Sequence, residues 1–71
     1  MKKTIVLHDR YGNEPMVIRT SAILAVRKGL DGTGDMAKEY TDVLIGTIVF
    51  SVSETIGEVI KKIKKAEGEE T

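Results

Sequence analysis

The strand-like run Val43-Leu44-Ile45-Gly46-Thr47-Ile48-Val49-Phe50-Ser51-Val52 is followed directly by Ile56, Val59, Ile60 and Ile63 at helical spacing. Period two sends successive strand side chains to opposite faces, whereas an i, i+3, i+4, i+7 stripe marks one face of a helix. The pattern therefore predicts a β-hairpin from about Tyr40 to Val52 that feeds one amphipathic helix. Gly46-Thr47 has glycine first, as a two-residue type II′ turn requires. In that register Val43 faces Phe50, Ile45 faces Ile48 and Thr41 faces Val52 on one side of the ribbon, while Leu44 and Val49 pair on the other. A ribbon apolar on both faces indicates either a central place in a curled sheet or a surface met by another subunit.

The helix has a readable direction. Ser53 is the expected N-cap, Glu54 falls in the first turn near the positive end of the dipole, and Lys61, Lys62, Lys64 and Lys65 gather toward the negative end. Glu58 stands four residues before Lys62, the favourable orientation for an ion pair of ~0.2–0.5 kcal/mol. Gly57 costs about 1 kcal/mol relative to alanine inside a helix, which a close backbone approach could offset.

Upstream, Thr4-Ile5-Val6-Leu7-His8 and Pro15-Met16-Val17-Ile18-Arg19 read as the arms of a first hairpin. Gly12 and Asn13 between them both tolerate positive φ, and Pro15, lacking an amide donor, belongs at a strand start or edge. Ile5, Leu7, Met16 and Ile18 are expected to look inward. Thr20-Ser21 can cap one helical turn or shape a bend, and Ala22-Ile23-Leu24-Ala25-Val26 after it is open to both strand and short helix, with a bend entering a strand preferred. Gly29-Leu30-Asp31-Gly32-Thr33-Gly34-Asp35 reads as a loop, because its glycines cost backbone entropy to order and its aspartates do not pack. The full inward set is Ile5, Leu7, Ile18, Ile23, Val26, Val43, Ile45, Ile48, Phe50, Val52, Ile56, Val59, Ile60 and Ile63.

Composition narrows the chemistry. A chain of 71 residues has room for one small core and buries only ~60% of the surface its unfolded form exposes. It has no cysteine and one histidine, so neither a disulfide framework nor a zinc constellation can be assembled. Eleven basic residues balance eleven acidic ones, and no field of one sign points to a nucleic acid or an anionic membrane. Met1-Lys2-Lys3 begins like a signal peptide, but the apolar stretch behind it stops at His8-Asp9-Arg10, too soon for an h-region. With no run near ~20 apolar residues, a soluble, cytoplasmic protein is expected.

Candidate sites are few. Asp31, Thr33 and Asp35 occupy the first, third and fifth positions of a calcium-loop pattern, with Glu39 and Asp42 beyond, but Met36 stands where the sharp turn needs glycine. The same glycines make no phosphate cradle, since Lys38 is followed by Glu39. His8 and Asp9, adjacent on a strand, diverge rather than form an acid–base pair. Ser51, Ser53 and Thr55 lack the surroundings of a nucleophile elbow and are explained by capping. No catalytic, metal or cofactor site is expected, and no small-molecule substrate is indicated. Lys61, Lys62, Lys64 and Lys65 form the one dense positive patch, blunted by Glu67, Glu69 and Glu70. Tyr11, Tyr40 and Phe50 are too scattered for a base-stacking platform.

Taken as Ile5-x-Leu7, Gly12, Ile18-x-x-Ser21-x-Ile23-x-x-Val26 and Val43 to Val52, then Ser53-Glu54-Thr55-x-x-Glu58-Val59-x-x-x-Ile63, the chain resembles the small FlbD-like flagellar and swarming-motility proteins over nearly its full length. The Lys28 to Lys38 segment is longer than that family's connection, and Gly46-Thr47 replaces its Asn-Gly turn. The resemblance implies a non-catalytic accessory protein of bacteria without a cofactor. Together these readings predict a single α+β domain: a small curled antiparallel sheet of four to five strands with one C-terminal α-helix packed on it, a flexible glycine-rich loop at about 29–38 and a frayed tail at about 67–71. The expected function is a protein–protein interaction or assembly module, self-association first, using Leu44 and Val49 or an unpaired sheet edge. The alternative is a nucleic-acid-binding accessory domain using Lys61, Lys62, Lys64 and Lys65.

Overall fold

Thr4–His8 (β1) pairs antiparallel with Pro15–Arg19 (β2) in the computed structural model, which describes residues 3–68. Asn13 takes φ 55° in the turn between them. Ile5 lies opposite Ile18 and Leu7 opposite Met16, so one face of this hairpin carries the four expected inward residues. Ile5, Leu7 and Ile18 are buried and Met16 packs against them. A single 3₁₀ turn over Thr20–Ala22 bends the chain into Ile23–Asp31 (β3), with the Thr20 amide donating to the Lys3 carbonyl at 3.0 Å. Lys38–Ile45 (β4) and Ile48–Val52 (β5) complete a three-stranded antiparallel sheet ordered β3-β4-β5. The Gly46 hairpin turns with φ 63° at glycine, and Thr41, Val43, Leu44 and Ile45 face Val52, Phe50, Val49 and Ile48 in the expected register.

The expected single curled sheet is instead two, one of two strands and one of three. Among the described residues their backbones are joined by one bridge, Asp9 to Val52, with the Arg10 amide donating to Ser51 O and the Ser53 amide to His8 O, each at 2.9 Å. The reason lies on the outer edge of β1. There Lys62 Nζ donates to the Val6 carbonyl at 2.8 Å, and the His8 amide donates to Glu54 Oε1 at 3.0 Å. Side chains from the helical segment satisfy the backbone groups that a full neighbouring strand would have used, so the ladder cannot continue.

The glycine-rich segment orders further than its composition indicates, with β3 running to Asp31 and β4 starting at Lys38. Gly29 stands opposite Tyr40 in the ladder. A Cβ at Gly29 would lie 2.3 Å from the Tyr40 ring, so glycine here makes room for an aromatic to lie across the ribbon. A short 3₁₀ turn over Gly34–Met36 closes the arm, and the molecule is elongated, 42 × 24 × 20 Å.

Ile56–Gly68 forms α1, which packs on β1, β3, β4 and the turn at Thr20–Ala22. Its cap is Thr55, not Ser53: the Glu58 amide donates to Thr55 Oγ1 at 3.2 Å and the Thr55 amide to Glu58 Oε1 at 2.9 Å, a reciprocal capping box. Ser53 lies outside the helix start at Ile56, and both its amide and its hydroxyl turn to the His8 carbonyl. Glu58 is thereby committed, and Lys62 turns to Val6 and Glu54 instead of to Glu58. Val59 is buried, with Ile63 and Ala66 packed beside it. The core is Ile5, Leu7, Ile18, Val43, Val52 and Val59, with Ile23, Val26 and Ile45 half-buried around it. Two residues of the expected inward set are exposed to solvent. Ile48 sits at the hairpin end, 58% exposed, and Ile60 lies on the flank of the helix stripe. Of the tail expected to fray at about 67–71, Glu67 and Gly68 belong to α1, while 69–71, like Met1 and Lys2 of the basic start, fall outside the described residues. No helix among the described residues is long and apolar enough to cross a membrane.

Candidate interaction face and the clusters around it

Period two gives the three-stranded sheet two faces of different chemistry. Thr41, Val43 and Val52 point inward and are fully buried; the hydroxyl of Thr41 donates to the Glu54 carbonyl at 2.8 Å and so carries its polarity without cost. The outward face is built in cross-strand rows. Ala25, Leu44 and Val49 form an apolar row, and Arg27, Asp42 and Ser51 form the next. A shallow depression of about 200 Å³ is lined by Ala25, Leu44, Val49, Arg27 and Asp42 and bordered by Val26. Val49 is 56% exposed and Leu44 half-buried, and Leu24, set out by a bulge between Ile23 and Ala25, is 65% exposed nearby.

The polar row is internally matched. Ser51 Oγ donates to Asp42 Oδ1 at 2.8 Å, and Arg27 Nη2 to Asp42 Oδ2 at 3.1 Å. The Ser51 hydrogen bond, with help from Arg27, outweighs the opposing effect of desolvation and holds the Asp42 carboxyl below its ordinary 3.8. A third row is covered rather than bare. The Arg10 guanidinium stacks 3.8 Å from the Tyr40 ring centre and 4.9 Å from that of Tyr11, while Nη2 meets Asp31 Oδ2 at 2.5 Å. The turn between β1 and β2 is thus tied to the arm formed by β3 and β4.

On the opposite side of the molecule, His8 Nδ1 lies 2.7 Å from Glu54 Oε2, with Lys62 Nζ 3.9 Å from the same oxygen. Glu54 is only 10% exposed at its side chain. Burial works to raise its pKa, but hydrogen bonds from the His8 ring and backbone prevail and hold it below its ordinary 4.5. The carboxylate is therefore ionised, and the His8 ring donates from Nδ1.

Of the residues singled out from sequence, Leu44 and Val49 are brought together as direct cross-strand partners on the exposed side. The four lysines are not brought into one patch: Lys61, Lys64 and Lys65 are exposed on α1, whereas Lys62 is half-buried against β1. Sequence reasoning missed Ala25, Arg27 and Asp42 as neighbours of the apolar pair, and the pairing of His8 with Glu54. The signal for the first was the apolar, then basic, order in Ile23 to Lys28, legible only once β3 is known to be a strand beside β4. No signal announces the second, since 46 residues separate its partners. Neither a family model, nor a curated protein, nor a solved structure matches the chain.

Proposed function

We propose that the protein is a non-catalytic interaction and assembly module that associates with itself through the outward face of its three-stranded sheet. One observation carries this reading. Leu44 and Val49 form an apolar cross-strand pair continued by Ala25, on a face that no other element of the described chain covers at that end. Exposed apolar residues gathered in one place, rather than scattered, mark surfaces that meet another macromolecule. The core is small and complete without them, so their retention outside it is not needed to fill it. The resemblance to FlbD-like accessory proteins of bacteria agrees with such a role, and a cytoplasmic setting fits a cysteine-free chain.

Sedimentation across a concentration series tests this. A mass that rises with concentration is expected, and Val49→Asp should lower the association without changing the circular-dichroism spectrum. A monomer at every concentration would remove self-association. Salt-sensitive binding of labelled DNA by that monomer would then favour the lysine face of α1, where Lys61, Lys64 and Lys65 remain exposed.

A further inference from the structure

We infer that the partner on this face is a second copy packed face to face about a two-fold axis, with Arg27 of each copy reaching the partner's Asp42. The inference rests on the self-association proposed above and adds its geometry.

Two routes are open to a small sheet protein: strand addition at an edge, or packing of a face. The edges of β3 and β2 are guarded, and the outer side of β5 is bridged to the first hairpin from Ser51 to Ser53, which leaves only the short stretch 48–50 of that edge open among the described residues. In the three-stranded sheet, β3 has one unpaired side, and it carries the bulge at Leu24 followed by the consecutive cations Arg27 and Lys28. At the other end of the fold β2 opens with Pro15, which has no amide to donate, and closes with Arg19. Bulges, cations and proline are the devices that discourage strand addition. The face has none of them across Ala25, Leu44 and Val49.

A two-fold interface must match itself, so a patch of one charge sign would repel its own copy. The row beside the apolar one carries both signs, Arg27 and Asp42. The Arg27 side chain is 80% exposed and meets Asp42 through one nitrogen, while a guanidinium has five donors. Rotating a second copy over the first sets apolar row on apolar row and brings each guanidinium toward the facing carboxylate. The size sets the strength. Three strands ~4.8 Å apart and about five residues long present on the order of 250 Å² of flat sheet, well under the ~800 Å² per partner of a standard interface. The dimer should accordingly be weak and concentration-dependent.

Mixing separates the exchange between copies from the pair within one. Arg27→Glu and Asp42→Arg each break both arrangements, and each variant alone should dimerise about tenfold more weakly. An equimolar mixture of the two restores the contact only between copies, so recovery of dimer by sedimentation is expected. No recovery with both variants folded overturns the exchange. The unsubstituted chain supplies a second reading that does not depend on the variants folding. On raising its concentration, amide shifts should move at Ala25, Leu44 and Val49, with no new protection from hydrogen exchange along the free edges of β3, β2 or β5. Protection appearing on any of these edges would overturn face packing while leaving self-association intact; a strict monomer would remove both.

Discussion

The two faces of the three-stranded sheet are made from the same kinds of residue and meet opposite fates. Inward, Thr41, Val43 and Val52 are fully buried under α1 and the first hairpin; outward, Leu44 and Val49 keep much of their surface open to solvent. Alternation alone would rank these faces almost equally. What separates them is cover: the helix is delivered to one side by a chain that leaves β5 at Val52 and is fastened at Glu54 and Thr55. Even the outward face is divided, since Arg10 lies over Tyr40 at one end while the Ala25, Leu44 and Val49 end stays bare.

The largest contrast comes from trimming one valine on each side. Val43→Ala should cost roughly 2–3 kcal/mol of stability through lost burial and a residual cavity, whereas Val49→Ala should stay within ~0.5 kcal/mol, both read by urea denaturation of the monomer at low concentration. Equal effects would mean that the outward face is covered in solution as well as the inward one.

The fastening of the cover should be acid-sensitive. Glu54 binds its proton less readily folded than unfolded, so its contribution is complete above the ordinary 4.5 and is lost as pH falls through its lowered folded value. Asp42 on the outward face behaves in the same sense below its ordinary 3.8. Glu54→Gln should remove roughly 1.5–3 kcal/mol at neutral pH, the worth of a hydrogen bond to a charged group, and flatten the acid limb of the stability curve. An unchanged limb would show that this carboxylate is not what holds the helix segment to β1.

Smaller effects sharpen the picture. Thr55→Ala should lose about 1 kcal/mol from the helix N-terminus, and Ser53→Ala much less, which thermal unfolding can rank. Gly29→Ala should push the Tyr40 ring out from under Arg10, at about 0.5–1 kcal/mol for the lost stacking, with altered ring resonances of Tyr40 as the direct readout.

Much of this architecture is local and therefore legible in sequence. Both hairpins, the register of the second, the glycine turn at Gly46 and the existence of the C-terminal helix follow from period, turn chemistry and spacing within a few residues. The helix start was misplaced by two residues because Ser53, Thr55 and their acidic neighbours offer competing caps, and the structure resolves the choice with the Thr55–Glu58 box while Ser53 turns to His8. Of the interaction face, Leu44 and Val49 were visible as a hairpin pair, while Ala25, Arg27 and Asp42 depended on a β3 to β4 ladder that spans the glycine-rich segment.

By itself, then, the sequence determined which side chains share a strand face or a helix stripe, because those relations are set by backbone geometry over a few residues. Only the tertiary structure decided which face is covered, why the sheet breaks in two, and that His8 and Lys62 converge on Glu54. These outcomes turn on groups 8 to 56 positions apart in the chain competing for the same backbone donors and acceptors along β1, a contest that no local periodicity records.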